Sequence, residues 1–461
     1  MSKLIGGEII GKGNYGCVHK PQMECDDDTE TKPSADSVSK IMLDTDATKE
    51  MTEFIAVANA DSLKRIHLGT PIKCAIKNTE DNKDAIKECN ISRPENIAFD
   101  KTKLIDYALL IMKDGGQDLT TFGEVIYRWA VTPENINKME LFWLEVSRLF
   151  YGLKVFKDTG IVHNDVNHNN IVYNIHANRL NFIDFGLTTN KLVILDAVKN
   201  GTYSYPKRWS LPWEISDLKP AKYKAHPIAN YSRPEVLPYI IDKNSDFLQV
   251  ILPIDVNSPE ADRIKNEMSK KYHEQINSYV AGKRLIYLDK SIDTTDSYGV
   301  GLALLYILNR SRHLIDSCFD DNLKNLCNKL NALFSNMISP LAYERYDVNK
   351  LIAEYNNIIT ESGFLEKHKK HYDENFLLVN DDKDPPALPA FVNDDKDPPT
   401  LPAFVNDDKD PPALPAFVPG GRHRPRARKS YKMSKSTRNN KSSKRVRSRK
   451  AHKAKRSHKK R

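Results

Sequence analysis

The sequence lacks the features that mark secreted and membrane proteins. No apolar run approaches the roughly 20 residues that a helix needs to cross a bilayer. The N-terminal segment, MSKLIGGEIIGKG, has neither an apolar core nor a small-residue cleavage site, so it is unlike a secretory signal. These absences predict an intracellular protein without a membrane span.

Cysteine is scarce and dispersed along the chain. The six cysteines include no C-x-x-C pair, and they are Cys17, Cys25, Cys74, Cys89, Cys318 and Cys327. This spacing argues against a zinc site and against a disulfide framework. We expect free thiols in a reducing compartment.

Acidic residues are absent from residues 422–461, which hold 20 Lys and Arg. The whole chain of 461 residues carries a net charge of +9, so residues 1–421 carry about −11. The basic segment has one aromatic residue, Tyr431, and is predicted to be a disordered tail because it cannot bury a core. We expect it to bind nucleic acid or acidic protein surfaces without sequence preference.

Three near-identical 13-residue repeats precede this tail, at residues 379–391, 392–404 and 405–417. Each reads VNDDKDPP(A/T)LPAF. The period is too short for a helical solenoid, and the prolines prevent a helix or a central strand. The pattern predicts an extended linker with polyproline character, and a ligand for a proline-binding groove is the alternative.

Residues 161–186 carry the chemistry of the chain. Two short apolar runs, 171–173 and 180–183, are typical of strands, and Asp165 precedes the first run. Asp184 follows the second run and is itself followed by Phe and Gly. An acid and Asn170 five residues apart, with a second acid after a hairpin, suit phosphoryl transfer. Asp165 would hold the attacking hydroxyl, while Asn170 and Asp184 would hold Mg²⁺.

A glycine-rich segment lies near the N-terminus, where residues 9–18 read IIGKGNYGCV. Its glycines let a hairpin come close to phosphates and present backbone N–H groups. No helical pattern follows, which favours a strand–loop–strand over a dinucleotide-binding fold. The candidate nucleotide-binding residues of this segment are Gly11, Lys12, Gly13, Asn14, Tyr15, Gly16, Cys17 and Val18.

With these motifs the chain resembles the eukaryotic protein kinases over roughly residues 5–360. Residues 163–165 stand where those proteins carry H-R-D, Asn170 where they carry the metal-binding Asn, and residues 184–186 where they carry D-F-G. The resemblance implies an α+β, bilobal protein-kinase-like fold, with a small β-rich N-lobe, a larger helical C-lobe and a disordered C-terminal extension. It implies ATP- and Mg²⁺-dependent transfer of phosphate to Ser or Thr of protein substrates, with Mn²⁺ as the alternative metal.

The narrower resemblance is to kinases of large DNA viruses, particularly iridoviruses, which implies a place in the host cytoplasm, the nucleus or the virion. The implied domains are an N-lobe at residues 1–114 and a C-lobe at 115–375 with an insertion around 207–290. The repeats at 379–417 and the tail at 422–461 follow.

Residues 21–37 are polar and predict an exposed loop.

The third strand is predicted at residues 38–42, where Lys40 alternates with apolar residues. By resemblance Lys40 holds the α- and β-phosphates and is paired with a glutamate on the next helix, predicted over 47–60. Glu53 is preferred as that partner, and Glu50, one turn earlier, stays open.

The apolar run at 104–116 resembles the last strand of the small lobe, with Met112 lining the adenine pocket. Asp118 has two interpretations of equal weight. Either it accepts hydrogen bonds from the ribose, or it caps the helix that begins at LTTFGEVIY.

The large lobe has further family features. Apolar residues at three- and four-residue spacing predict one helix over 135–157, closed by Gly160. Asp296 resembles the acid that ties down the catalytic-loop backbone beside His163. Arg345 resembles the arginine that pairs with the glutamate closing the activation segment. Residues 205–207, 211–214 and 233–235 compete for that closing position.

Two positions depart from the family. Asn164 stands where phosphorylation-activated members carry Arg, so we predict activity that does not depend on activation-loop phosphorylation. Asn167 stands where Ser/Thr kinases carry Lys, which predicts slow turnover. The alternative function is a weak or inactive pseudokinase scaffold whose tail binds nucleic acid or virion proteins. A kinase of small molecules shares Asp165 and Asn170 but usually lacks the full glycine-rich loop.

Overall fold

A computed structural model describes residues 7–13, 16–26, 34, 36–89, 104–200, 202, 210–212, 258–264, 266–267, 270 and 284–369. Several predicted features lie outside these residues: Asn14, Tyr15, the repeats and the basic tail. Most of the predicted insertion also lies outside them, and so do most residues of the three segments that compete to close the activation segment. Within the described ranges, the N-terminal part is built on a β-sheet and the C-terminal part is mainly helical. No helix among them is long and apolar enough to cross a membrane.

Five antiparallel strands form the N-terminal sheet in the order β1-β2-β3-β5-β4. They are β1 (Glu8–Lys12), β2 (Gly16–Lys20), β3 (Ser37–Leu43), β4 (Ile72–Ala75) and β5 (Tyr107–Lys113). A short 3₁₀ turn, Leu104–Asp106, leads into β5. Strand β3 is central and pairs along its whole length with β5. Alternate residues of β3 therefore face opposite sides of the sheet.

One helix packs on each face of this sheet. Helix α1 (Asp44–Ala60) covers the face of Met42, Ala108 and Leu110. Helix α2 (Glu80–Glu88), capped by the Thr79 hydroxyl, covers the other face, with Ala85 and Ile86 in its core. Most residues of β3 and β5 are therefore buried, which explains why these two strands read as nearly continuous apolar runs.

The expectation of free thiols is wrong for four of the six cysteines. Cys17 is bonded to Cys89, and Cys25 to Cys74, with Cα–Cα distances of 5.9 and 5.7 Å. Only the last two, Cys318 and Cys327, are free, and both are buried. Sequence spacing missed the bridges because 72 and 49 residues separate the partners, which meet only in the folded sheet.

The segment after β2 is also less exposed than the sequence suggests. Within the described part of residues 21–37, Gln22, Met23 and Cys25 are buried. Met23 N donates to the Ser39 hydroxyl at 2.9 Å, and Cys25 forms an isolated bridge with Ile76. Backbone hydrogen bonds and the second disulfide hold this segment against the sheet, so its polar composition misled the prediction.

Besides a helical stretch at residues 259–264, the described residues of the C-terminal part include nine helices. They are α3 (Leu119–Tyr127), α4 (Pro133–Glu145), α5 (Ser147–Thr159), α6 (Lys191–Asn200), α7 (Arg284–Asp293), α8 (Thr295–Ser317), α9 (Asp321–Met337), α10 (Val348–Ser362) and α11 (Phe364–Lys367). Helix α8 is buried on nearly all sides along its first 14 residues, Thr295 to Leu308. Such a helix is the centre of a packed core.

Five short strands accompany these helices. They are β6 (Gln117–Asp118), β7 (Ile161–Val162), β8 (Ile171–Asn174), β9 (Arg179–Phe182) and β10 (Thr189–Asn190). Strands β8 and β9 form the hairpin predicted from the two apolar runs, and β6 joins them. Strand β7 pairs with β10. The loop 163–170 is thus fixed at both ends by strands.

The single helix predicted over 135–157 is two helices. Helix α4 ends and α5 begins at Val146, which serves as the cap of both. The apolar spacing continues through this break, so the sequence pattern does not show it. Gly160 ends α5 with φ 69°, as predicted, because glycine adopts this left-handed conformation without a steric penalty.

Candidate active site

Lys40 lies in the middle of the N-terminal sheet, on the face that carries α1. Its Nζ is 2.8 Å from both carboxylate oxygens of Glu50 and 3.1 Å from Oδ1 of Asp184. Burial lowers the pKa of Lys40, but attraction by Asp184 and Glu50 outweighs burial and raises the pKa above its usual value. The ammonium group is therefore charged at physiological pH.

Glu50, and not Glu53, is the partner of Lys40, so the preference for Glu53 is wrong. The buried residues of α1 share one helical face: Ala47, Glu50, Phe54 and Val57. Glu53 lies at the edge of this face and is partly buried, and its Oε1 lies 3.4 Å from Lys49 Nζ. Because residues 54–58 are all apolar, their spacing does not show which face of α1 is buried, so the sequence does not separate the two glutamates.

Asp165 lies in the loop between β7 and β8, where two amides hold it. Asn170 Nδ2 donates to Oδ2 of Asp165 at 3.0 Å and to its carbonyl oxygen at 2.8 Å. Asn167 Nδ2 donates to the same carbonyl at 3.0 Å and lies 3.4 Å from Oδ1. The carboxylate is thus oriented from both sides, and the role of Asn167 in this was not predicted.

The backbone before Asp165 is tied down by Asp296, at the start of α8. Its Oδ2 accepts from His163 N at 2.7 Å, and its Oδ1 accepts from Asn164 N at 3.0 Å. This is the contact predicted for Asp296. Gly299 allows the close approach, because a Cβ there would lie 2.2 Å from the carbonyl oxygen of Val166.

Ile183 links the two ends of the site. Its N–H donates to the carbonyl oxygen of Asn170 at 3.1 Å, and its carbonyl oxygen lies 3.2 Å from Nε2 of His163. Asp184 is the next residue and contacts Lys40. One chain of contacts therefore joins Lys40, Glu50 and Asp184 to Asn170 and Asp165.

Phe185 adds an apolar connection between the same elements. Its ring centroid is 5.1 Å from that of Phe54 on α1 and 5.0 Å from that of His163. All three side chains are buried. These ring contacts connect α1 to the residues beside Asp165 and Asp184.

Two residues of the site have backbone conformations that non-glycine residues rarely adopt. Asn164 has φ 66° and Asp184 has φ 59°. Asn and Asp tolerate this region better than other residues, and such conformations concentrate at functional sites. Gly186 follows at a crowded position, where a Cβ would lie 3.3 Å from Oε2 of Glu50.

The donor set of Asn170 and Asp184 fits a magnesium ion. Both side chains offer oxygen, and the Asp184 side chain is 43% exposed. Mg²⁺ typically takes one or two protein carboxylates and completes its shell with phosphates and water. Within the described part of the chain, no cluster of three His, Cys, Asp or Glu forms a ready-made metal site. An ion shared with a phosphate ligand suits this arrangement.

The register of the sheet places several candidate site residues on one face. Val18 is the cross-strand partner of Lys40, and Val38 is that of Met112, so these residues share one face. Gly13 N donates to the carbonyl oxygen of Gly16 at 2.8 Å and closes the turn that carries the glycines.

Each glycine of this turn has its own environment. Gly16 must be glycine because a Cβ would lie 2.3 Å from the carbonyl oxygen of Ile41. A Cβ on Gly11 or Gly13 would meet only ordinary contacts. Among the described residues, packing therefore does not require glycine at these two positions.

The side chains of Lys12 and Cys17 do not face the Lys40 side of the sheet. They are cross-strand partners on the opposite face of the hairpin. Lys12 Nζ donates to the carbonyl oxygen of Glu88 at 3.1 Å, and Cys17 is bonded to Cys89. Strand alternation from Val18 gives this result, so only their backbone groups are available to a ligand on the Lys40 side.

Asp118 caps α3. Its Oδ1 accepts from Thr121 N, and its Oδ2 accepts from the Thr121 hydroxyl, both at 2.9 Å. The helix-cap interpretation is therefore confirmed, and contact with a ribose stays a prediction.

Arg345 is buried and donates to the carbonyl oxygen of Ser339 at 2.7 Å and to the Thr294 hydroxyl at 3.2 Å.

No family model matches the chain, and no protein in a curated set matches its sequence. Among solved structures it is similar to ROP2 from Toxoplasma gondii, described as a virulence factor with a protein-kinase fold and no enzymatic activity. The two are 11% identical, with 78% of this chain and 81% of that chain covered and a TM-score of 0.40. At this level of similarity the lack of activity is a property of ROP2 alone.

Proposed function

We propose that the chain is a bilobal protein kinase that transfers the γ-phosphate of ATP to Ser or Thr hydroxyls of proteins. The observation that carries the proposal is the continuous set of contacts from Lys40 and Glu50 through Asp184 to Asn170 and Asp165. In this set, Lys40 is the cation for the phosphates, Asn170 and Asp184 supply oxygen ligands for a metal, and Asp165 is the carboxylate for the acceptor hydroxyl. Phosphoryl transfer needs this combination.

Each residue has a distinct task in the proposed reaction. Lys40, kept charged by Glu50 and Asp184, binds the α- and β-phosphates. Asp165 accepts a hydrogen bond from the acceptor hydroxyl and takes its proton as the oxygen bonds to the γ-phosphorus and ADP leaves. Because Asn167 and Asn170 hold the carboxylate in one orientation, positioning supplies much of the effect.

Asn170 and Asp184 would hold Mg²⁺, which shields the negative charge of the phosphates when it is bound; Mn²⁺ would suit the same oxygens. Val18, Val38 and Met112 supply the apolar wall on which an adenine ring would lie.

We also propose that activity does not require phosphorylation of the activation segment. Asn164 Nδ2 donates to the carbonyl oxygen of Leu187 at 3.2 Å, which already holds the backbone just after Gly186. A neutral amide attracts a phosphate far less than a guanidinium does. Phosphatase treatment of the purified protein should leave the initial rate unchanged, and a large loss of rate would contradict this.

The direct test is transfer of labelled phosphate from ATP to a generic basic protein. Asp165→Asn keeps the shape of the side chain and should lower the rate about 10²- to 10⁴-fold. Asp158→Asn is the matched control, because Asp158 is half-exposed and pairs with Lys154 at the end of α5. Labelling that survives in Asp165→Asn would mean that another residue is the base or that the activity is a contaminant.

An inactive scaffold is the second candidate, and the neutral amide of Asn167 is the observation that favours it. In this case the protein would bind a nucleotide analogue with Mg²⁺ but transfer no phosphate. Equal, background labelling by the wild type and Asp165→Asn, together with measurable nucleotide binding, would select this function.

The basic tail, residues 422–461, is proposed to bind anionic partners in the cell, either nucleic acid or acidic proteins. If six to ten phosphates are engaged, affinity for duplex DNA should fall by about 10³- to 10⁵-fold between about 50 and 200 mM salt. A chain that ends at Val418 is the control. Equal affinity of the two chains would contradict the proposal.

A further inference from the structure

We propose that the Cys17–Cys89 disulfide is a redox site that controls nucleotide binding by the glycine-rich hairpin. The inference rests on the nucleotide-binding function proposed above and adds its regulation. According to this proposal, the disulfide form of the protein holds the hairpin in place, and the dithiol form releases the hairpin.

The position of Cys17 is the first reason. It follows Gly16 directly and is the cross-strand partner of Lys12, so it lies at the base of the turn that carries the glycines. Its neighbour Val18 faces Lys40 across β2 and β3. Because side chains alternate along a strand, a bond made on the outer face by Cys17 restrains the inner face at Val18.

The second reason is what Cys89 is attached to. Cys89 is the C-terminal cap of α2, and Lys12 donates to the carbonyl oxygen of the preceding residue, Glu88. The end of α2 is therefore tied to both strands of the hairpin, through Lys12 on β1 and Cys17 on β2. When the disulfide is cut, the hydrogen bond from the exposed Lys12 and apolar packing remain.

The third reason is that the surroundings tolerate both oxidation states. Cys17 and Cys89 are each only 1% exposed, and His19, next on the same face of β2, is fully buried. Burial lowers the pKa of His19, so the imidazole is neutral and does not favour a thiolate. Both the disulfide and two thiols are neutral, and buried thiols behave as small apolar groups.

The second disulfide provides a contrast. Around Cys25–Cys74, Asp26 N donates to the carbonyl oxygen of Ala75 at 3.0 Å and Lys77 N to that of Glu24 at 3.1 Å. Asn82 Nδ2 also donates to the carbonyl oxygen of Glu24. These bonds hold the segment whether or not the sulfurs are joined. This disulfide is also outside the hairpin, so it should not affect the nucleotide.

The chemistry balances with a dithiol reductant. Two electrons and two protons pass to the Cys17–Cys89 bond, which becomes two thiols, while the dithiol becomes a cyclic disulfide. In the intracellular setting proposed above, protein disulfides are usually transient or redox-sensing. A change in the state of this bond is therefore expected in the life of the protein.

The experiment measures the Kd of a fluorescent ATP analogue with Mg²⁺ for the full chain, before and after incubation with dithiothreitol. Alkylation and mass mapping confirm the state of each cysteine. Reduction should weaken binding about fivefold, the cost of ordering a few more groups on binding. C17A/C89A should show the weaker Kd under both conditions, and C25A/C74A should keep the wild-type response.

The possible results separate the two proposals. If neither state binds the analogue, the proposed nucleotide-binding function fails, and the redox inference fails with it. If both states bind equally although Cys17 and Cys89 are reduced, the bond is only structural and the inference alone is overturned. The redox inference would also be overturned if dithiothreitol still changed the Kd of C17A/C89A, or if it no longer changed the Kd of C25A/C74A.

Discussion

The two ends of the candidate site are held by different kinds of bonds. Lys40 sits on a central strand, where pairing with β2 and β5 fixes the backbone over several residues. Asp165 sits in a loop without regular structure, where three side chains, those of Asn167, Asn170 and Asp296, hold the backbone. Sheet pairing spreads over many hydrogen bonds, whereas the loop depends on these few side chains. Single substitutions should therefore damage the loop more than the sheet.

The largest effect is expected at Asp296. Asp296→Ala leaves the N–H groups of His163 and Asn164 buried without their acceptor, at about 1–3 kcal/mol each. The free energy of unfolding should fall by about 2–6 kcal/mol, measured by urea titration. Phosphoryl transfer should be lost at temperatures where the protein is still folded.

Asp293→Ala is the control for this change. Asp293 pairs with Lys191 near the surface, and such a pair contributes about 0–1 kcal/mol. If both substitutions lower the free energy of unfolding equally, the loop does not depend on Asp296 in the way described.

At the sheet end of the site, separate substitutions of Glu50 and Glu53 test which glutamate supports Lys40. Glu50→Gln removes a charged hydrogen-bond partner of Lys40, which is worth about 1.5–3 kcal/mol, or about 10- to 150-fold in kcat/KM. Glu53→Gln should change kcat/KM less than about threefold, because Glu53 does not contact Lys40. The opposite order in a steady-state assay would restore Glu53 as the partner.

The smallest effect concerns Glu53 and pH. Burial, with repulsion by Glu50 and Asp184, raises the pKa of Glu53 to about 7, against an ordinary value of 4.5. Between these values the folded protein holds this proton more tightly than the unfolded chain does, so the carboxyl group lowers stability as pH rises. The loss is complete above about pH 7.

Glu53→Gln cannot ionise and therefore escapes this loss. Its Tm should be close to that of the wild type near pH 5 and higher by a few degrees near pH 8, in thermal melts at both pH values. A difference in Tm that stays constant across this range would show that Glu53 does not titrate there.

The sequence predicted the parts of the site that depend on local spacing. Three features are local in this sense: the acid–Asn pair at 165 and 170, the β8–β9 hairpin, and the alternation of Lys40 with Val38 and Met42. Each of them involves residues that are close together in the sequence. Their geometry follows from strand and turn rules that act over this range. Asp296 was found through a motif, although its contact with the loop spans 133 residues.

What the sequence missed depends on the tertiary structure. The choice between Glu50 and Glu53 is decided by which face of α1 meets the sheet. The two disulfides join segments that are 72 and 49 residues apart in sequence and meet only in the folded sheet. Left-handed backbone at Asn164 and Asp184 is imposed by the contacts around them, because their residue types only tolerate it.

The central claim is that Lys40, Asp165, Asn170 and Asp184 surround one nucleotide and one metal. The most direct test is a crystal structure with a non-hydrolysable ATP analogue and Mg²⁺. The account predicts the ion between Asn170 and Asp184, the α- and β-phosphates at Lys40, and the γ-phosphate facing Asp165. A nucleotide bound elsewhere, or an ion that touches neither Asn170 nor Asp184, would contradict it.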